Sequence, residues 1–251
     1  MIIIKTPQQI ELMAQAGQIL TECHRQLREI IRPGITTLEI DQFADEFIHS
    51  HGAKAEQKGY HGYPFATCAS VNDEICHGFP TKKPLQNGDI VTIDMVVNLN
   101  GWLADSAWSY PVGQISEEAN KLLQVTKECL YIGIDQAVIG NRLGDISHAI
   151  QKHAESQGFS VVRHFTGHGI GRDMHEDPPV LHFGPPKKGP KLREGMVFTI
   201  EPMINLGSWA LTIDQNGWTA RTADHRLSAQ YEHTIAITKN GPMVLTEQDP
   251  Q

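Results

Sequence analysis

Four acidic side chains in this chain sit where acids are costly. Asp94 lies in Ile93-Asp94-Met95-Val96-Val97, Glu201 in Phe198-Thr199-Ile200-Glu201-Pro202-Met203, and Glu232 in Tyr231-Glu232-His233-Thr234-Ile235. Asp105, within Leu103-Ala104-Asp105-Ser106-Ala107-Trp108, follows Asp94 at an interval that suits neighbouring strands of one hairpin. A carboxylate in such apolar, β-rich surroundings must be paired, hydrogen-bonded or bound to metal. Any one of these acids, taken alone, reads more readily as a salt-bridged surface group. Four together are harder to dismiss. Gly167-His168-Gly169-Ile170-Gly171 adds an imidazole among glycines that permit close approach and unusual dihedrals. The glycine pattern is no dinucleotide fingerprint, because no GxGxxG follows a strand and opens a helix.

Asp94, Asp105, His168, Glu201 and Glu232 would make a dinuclear site, four carboxylates balancing two divalent cations while the imidazole stays neutral. Hard oxygen ligands with one His favour Mn, Fe or Co, with Zn also suited, over a thiolate-rich structural zinc site. Two ions roughly 3.5–4 Å apart share a hydroxide nucleophile and polarise a carbonyl oxygen. That is the chemistry of amide hydrolysis.

The elements that must position these residues form an αα-then-β pattern that occurs twice. Thr6-Pro7-Gln8-Gln9 reads as a capping box with Pro at the first helical position, and Ile10, Met13, Leu20, Cys23, Leu27 and Ile30 keep helical spacing up to Pro33-Gly34. Thr36-Thr37-Leu38-Glu39 starts a second helix that ends near Gly52. Ser116-Glu117-Glu118 opens a third toward Gly140, and Asp145 caps a shorter fourth that Gly158 closes. Gly88 to Trp102 reads GDIVTIDMVVNLNGW and Gly195 to Trp209 reads GMVFTIEPMINLGSW. At one constant spacing Gly, Thr-Ile, Asn-Leu and Trp recur, and Asp94 falls on Glu201. The alternative is two amphipathic strands that merely look alike, but the helix starts repeat at nearly the same interval. The expectation is a single domain over 1–251, with pseudo-symmetric halves of about 1–110 and 111–251 sharing one core. Alternation in Ile90-Thr92-Asp94 and Val197-Thr199-Glu201 aims both carboxylates at one face of each strand.

Composition narrows the classes. The net charge of −8 argues against nucleic-acid binding by phosphate neutralisation. No apolar stretch approaches the length of a membrane span, and Ile2-Ile3-Ile4 is too short for a signal peptide. Cys23, Cys68, Cys76 and Cys129 form no CxxC pair, so a reducing cytoplasm is the expected location.

The segments Ser70-Val71-Asn72-Asp73-Glu74-Ile75-Cys76-His77-Gly78, Gly88 to Asp94 and Gly167 to Gly171 resemble those of type I methionine aminopeptidases. So do Met174-His175-Glu176-Asp177-Pro178, Phe198 to Met203 and Ser228-Ala229-Gln230-Tyr231-Glu232-His233-Thr234. The resemblance runs from Lys5-Thr6-Pro7 over essentially the whole chain. It implies the pita-bread fold, a duplicated α/β (α+β) architecture with a central antiparallel-rich sheet, helices outside, and a metal pair at the pseudo-symmetric centre.

By the same resemblance Asp105 and Glu232 are bridging ligands, Asp94 serves one metal, and His168 with Glu201 completes the other. His77 and His175 match the family's two non-ligand histidines, the first near the substrate amide, the second polarising the scissile carbonyl. Glu201 also matches the proton shuttle. Tyr60, Tyr63, Cys68 and Trp218 fit a methionine-sized slot; Gln57 stands where a small residue such as Cys is common, and Met174 where an aromatic is common. These two departures concern first-residue preference more than chemistry. The implied partner is the N-terminal Met of nascent peptides, with transient ribosome contact, no membrane, no specific nucleic acid and a monomeric chain.

Two other readings compete: an Xaa-Pro aminopeptidase or dipeptidase of the same fold, and a binding module that has lost catalysis. Xaa-Pro enzymes usually carry a large N-terminal domain, whereas this sequence opens directly on its first helix pair. The short interval from Glu201 to Glu232 leaves no room for the helical insertion of type II enzymes. A degenerate binding module should lack ligands, and all five positions are filled.

Overall fold

The computed structural model describes residues 1–248. Its four long helices begin where side chains can satisfy the free N–H groups of a first turn. Thr6 Oγ1 accepts from Gln9 N at 3.3 Å and Gln9 Oε1 from Thr6 N at 2.9 Å, opening α1 (Pro7–Ile30). Thr36 and Glu39 make the same reciprocal pair for α2 (Thr37–Ser50). Ser116 Oγ accepts from Ala119 N at 3.1 Å before α3 (Glu117–Asp135). The fourth start differs from the expectation: α4 runs Leu143–Ser156, so Asp145 lies inside its first turn. From there its carboxylate reaches back to Arg142 N at 2.8 Å, the acidic half of a capping box without a hydroxyl.

The first half is built on a ten-residue hairpin, Ile90–Leu99 against Trp102–Pro111, paired throughout. Asn100 and Gly101, both left-handed at φ 54° and 81°, turn it in the two-residue form that matches strand twist. Cys68–Val71 and Lys54–Ala55 cover the outer edge of Ile90–Leu99. In the second half five antiparallel strands follow the order Gly241–Val244, His233–Thr238, Val197–Ile200, Gly167–Gly169, Glu176–Val180. Two three-stranded sheets complete the β layer.

The internal repeat is visible in the backbone. Gly88 and Gly195, at φ 100° and 83°, each stand two positions before a strand start, at Ile90 and Val197. The copies then diverge. Ile90–Leu99 runs on past Asp94, whereas Val197–Ile200 stops one residue short of Glu201 and resumes as Met203–Asn205 in another sheet. Pro202 has no N–H to give a ladder, and Glu201 N bonds the His182 ring at 3.1 Å instead. Glu201 therefore sits just beyond a strand, not within one as the pattern predicted.

The apolar faces of the helices pack outside the sheets. One core cluster takes Leu20, Leu27 and Ile40 from the first helix pair and Leu122, Leu130 and Ile146 from the second. Among the described residues no helix is long and apolar enough to cross a membrane.

Candidate metal centre and substrate slot

The two halves meet where the acids are. In the long hairpin Asp94 lies opposite Ala107 and Asp105 opposite Val96, a diagonal that puts both carboxylates on one face. Glu232 is brought against that hairpin by backbone, its N–H donating to Ala107 O at 2.8 Å. Thr234 locks the junction: Asp105 N donates to its hydroxyl at 2.9 Å, and the hydroxyl donates to Asp105 O at 2.8 Å. His168 comes from the short strand Gly167–Gly169, bulged between His168 and Gly169. Its Nδ1 lies 3.0 Å from Gly169 O, so a proton there leaves Nε2 free to ligate.

Around this point Asp105, His168 and Glu232 each present a ligand atom, all within 4.8 Å of one another. His168 Nε2 is 3.6 Å from Asp105 Oδ2 and 3.6 Å from Glu201 Oε1. That is long for a hydrogen bond. It matches the roughly 3.3–3.6 Å separating two ligands about 2.0–2.2 Å from one tetrahedral ion. Asp105 Oδ1 and Glu232 Oε1 are buried with no hydrogen-bond partner among the described residues. Among the described residues no Lys or Arg lines the cavity beside them.

Electrostatics says the same. Burial, then the Asp105 and Glu201 charges, holds Asp94 and Glu232 well above the usual carboxylate range. Burial lifts Glu201 to about 7 against the pull of His168. His168 loses to burial but gains more from Asp105 and Glu201, which carry it up to about 9. Acids so crowded and so dry stay ionised at neutral pH only beside cations. The donor set fits divalent metal, with oxygen ligands dominant and one imidazole.

All thirteen residues singled out from the sequence line one cavity of about 300 Å³. Beside the carboxylates it holds Gln57, Tyr60, Tyr63, Cys68, His77, Met174, His175 and Trp218. Tyr63 stacks edge-on with Trp218 at 5.1 Å, while its hydroxyl is spent on Thr67 O and Gly78 O, both at 3.0 Å. The slot therefore sees ring, not phenol. Burial lowers the His77 pKa, and its backbone is left-handed at φ 55°. His175 stands at the mouth, its ring 4.3 Å from that of His168 and its Nδ1 2.9 Å from the Tyr60 hydroxyl. Partial burial and the His168 charge pull it down to about 4. The next residue, Glu176, pairs with Lys5, both side chains almost fully buried, and accepts from Arg172 N at 3.1 Å. Lys5 N in turn donates to Gly195 O at 2.8 Å.

A model of metallopeptidase family M24 matches residues 11–239. The chain belongs to metallopeptidase family M24. A methionine aminopeptidase of Clostridium perfringens is 53% identical over 98% of this chain and 99% of that protein. Methionine aminopeptidase 1 of Bacillus subtilis is 50% identical, with the same coverage. Among solved structures, the methionine aminopeptidase of Rickettsia prowazekii superposes with a TM-score of 0.97 at 42% identity, covering 98% of this chain and 100% of that one. A prolidase of Pyrococcus furiosus, at 23% identity and TM-score 0.81, shares the fold alone and is 66% covered. The fold is the pita-bread architecture of these M24 enzymes.

Sequence reasoning missed Val96, His164, Phe165, Thr166 and Met203 in the cavity wall. It also missed Thr199, whose hydroxyl accepts from His168 N at 3.0 Å and donates to Glu201 Oε1 at 2.8 Å. The recurrence of Thr-Ile in both halves was a signal for Thr199. His182, which accepts from Glu201 N, had none.

Proposed function

We propose that this M24 protein is a metal-dependent aminopeptidase that removes N-terminal methionine from newly made chains whose second residue is small. The observation that carries the reading is the pair of buried carboxylate oxygens, Asp105 Oδ1 and Glu232 Oε1, that lack a partner among the described residues, on side chains that line one cavity with an apolar slot. Asp94, Asp105, His168, Glu201 and Glu232 would hold two divalent ions (Mn, Fe, Co or Zn). When bound, the ions supply Lewis acidity toward the scissile carbonyl and a nucleophile at neutral pH.

The remaining chemistry falls to the chain. Tyr63, Cys68, Trp218, Gln57 and Met174 take the methionine side chain, which fixes the free amine toward the acids. Glu201, held at Oε1 by Thr199, takes the proton of the attacking water and returns it to the leaving nitrogen. His175 is neutral near pH 7 and donates from Nε2 to the carbonyl oxygen as charge develops there. His77 lies deeper, edge-on to Phe165 and Trp218, and hydrogen-bonds the substrate amide. One domain, monomeric and cytoplasmic, suffices for this reaction.

The test is a panel of Met-Ala-Ser, Met-Leu-Ser, Leu-Ala-Ser, Ala-Pro-Ser and formyl-Met-Ala-Ser with metal-loaded protein. Met-Ala-Ser should be cut fastest and the formylated peptide left intact, because its blocked amine cannot meet the acids. Fastest cleavage of Ala-Pro-Ser would instead favour the Xaa-Pro activity of relatives that share the fold.

A further inference from the structure

One edge of the strand Ile90–Leu99 is covered throughout by Trp102–Pro111, but the other is shared by two short strands. Lys54–Ala55 pairs with Val97 and Asn98, and Cys68–Val71 with Val91 to Asp94. Met95 and Val96 face neither. Glu56 N reaches Val96 O at 2.9 Å, and then the main chain leaves the sheet. The Gln57 side chain takes over. Its Oε1 accepts from Val96 N at 2.7 Å, and its Nε2 donates to Asp94 O at 3.2 Å and to Cys68 Sγ at 3.4 Å. A primary amide offers one carbonyl and N–H donors, so it serves here as a peptide group would in the missing rung. Gln57 is only 6% exposed.

The gap it fills is a wall of the slot, since Gln57, Cys68, Asp94 and Val96 all line the cavity. We propose that Gln57 determines first-residue specificity by capping the Val96 N–H, which keeps this wall apolar; the proposal rests on the aminopeptidase reading above. A methionine thioether is too weak an acceptor to satisfy a buried amide. With Gln57 in place it has none to satisfy. Without the cap, a buried donor is left bare in this wall, which penalises methionine beside it and rewards a side chain whose carbonyl can reach it, such as glutamine.

The decisive variant is Gln57→Met, close in length but lacking the acceptor. Amide hydrogen exchange at Val96, measured on the metal-free protein, should accelerate at least about tenfold in the variant. The ratio of kcat/KM for Met-Ala-Ser over Gln-Ala-Ser should fall about tenfold, with metal bound per chain unchanged. An equally protected Val96 in both proteins, or an unchanged ratio, overturns the proposal. Should the variant not fold, wild-type exchange decides: a Val96 amide that exchanges as fast as an exposed one overturns the cap, and slow exchange supports it. Metal-loaded wild type that cuts neither peptide defeats the aminopeptidase reading itself. Cleavage of Met-Ala-Ser with an unchanged ratio in the variant defeats only the role of Gln57.

Discussion

The Tyr60 hydroxyl stands 2.9 Å from His175 Nδ1, so the two groups share one hydrogen bond. With the ring neutral and the phenol donating, the proton sits on Nε2, the atom available to a substrate carbonyl. His175→Ala should lower kcat roughly a hundredfold, the usual cost of an oxyanion donor. Tyr60→Phe should lower it by about tenfold, since it removes one hydrogen bond and leaves the donor. Metal content, read by atomic absorption, should not change in either. Loss of metal from His175→Ala would make the ring a ligand.

Chelation should abolish activity, and Mn, Co or Fe should restore it at about two ions per chain. Binding to the folded state alone should raise Tm by roughly 5–10 °C at saturating metal. Asp105→Asn should lower both stoichiometry and rate, because Asp105 lies 3.6 Å from His168 Nε2 and shares a hairpin face with Asp94. A chelated sample that keeps full peptidase activity would remove the metal from the mechanism.

His24 reports on acid stability away from the metals. Its ring is fully buried, Nδ1 2.7 Å from the Tyr110 hydroxyl, and burial lowers its pKa to about 4. The unfolded chain binds a proton there near pH 6.5 and the folded chain does not, so stability falls as pH drops from about 6.5 toward 4. His24→Gln removes that difference. Relative to wild type, the variant should gain up to about 1.4 kcal/mol for each pH unit below 6. Parallel urea-derived stabilities from pH 7 to 5 would show the histidine irrelevant.

Trp218 rides on the hairpin Leu211–Ile213 and Ala220–Thr222, and Arg221 holds that hairpin down. Arg221 bonds Asp214 on its own hairpin at 2.8 Å, Asp73 at 2.7 Å and Glu74 at 2.6 Å. Arg221→Met should raise KM for Met-Ala-Ser about tenfold while kcat falls less, because the slot loosens and the acids do not move. A drop confined to kcat would place Arg221 in the chemistry instead.

Most of this arrangement was legible wherever a local rule governs it. Thr6 and Thr36 announced their helices because a capping box is a contact within four residues. Asp94 and Asp105 were placed on one hairpin because their short interval suits neighbouring strands, and the register bears this out. Asp145 was misplaced by three residues because an acid at either end of a capping box looks alike in sequence. Glu201 was expected within its strand; its escape depends on Pro202 and on His182, a partner nineteen residues upstream. The bond from Gln57 to Val96 was illegible because it crosses thirty-nine positions and replaces a backbone rung with a side chain.

Lys5 lies far from the catalytic motifs in sequence, yet its ammonium grips Glu176, the residue after His175. Anything fused ahead of Met1 turns the amine that pairs with Asp177 into an amide, beside the Lys5–Glu176 pair. A purification handle there is a mechanical load on the loop that carries His175. Tagged and cleaved preparations with equal metal content are therefore expected to differ in turnover, and the placement of a handle becomes a kinetic variable.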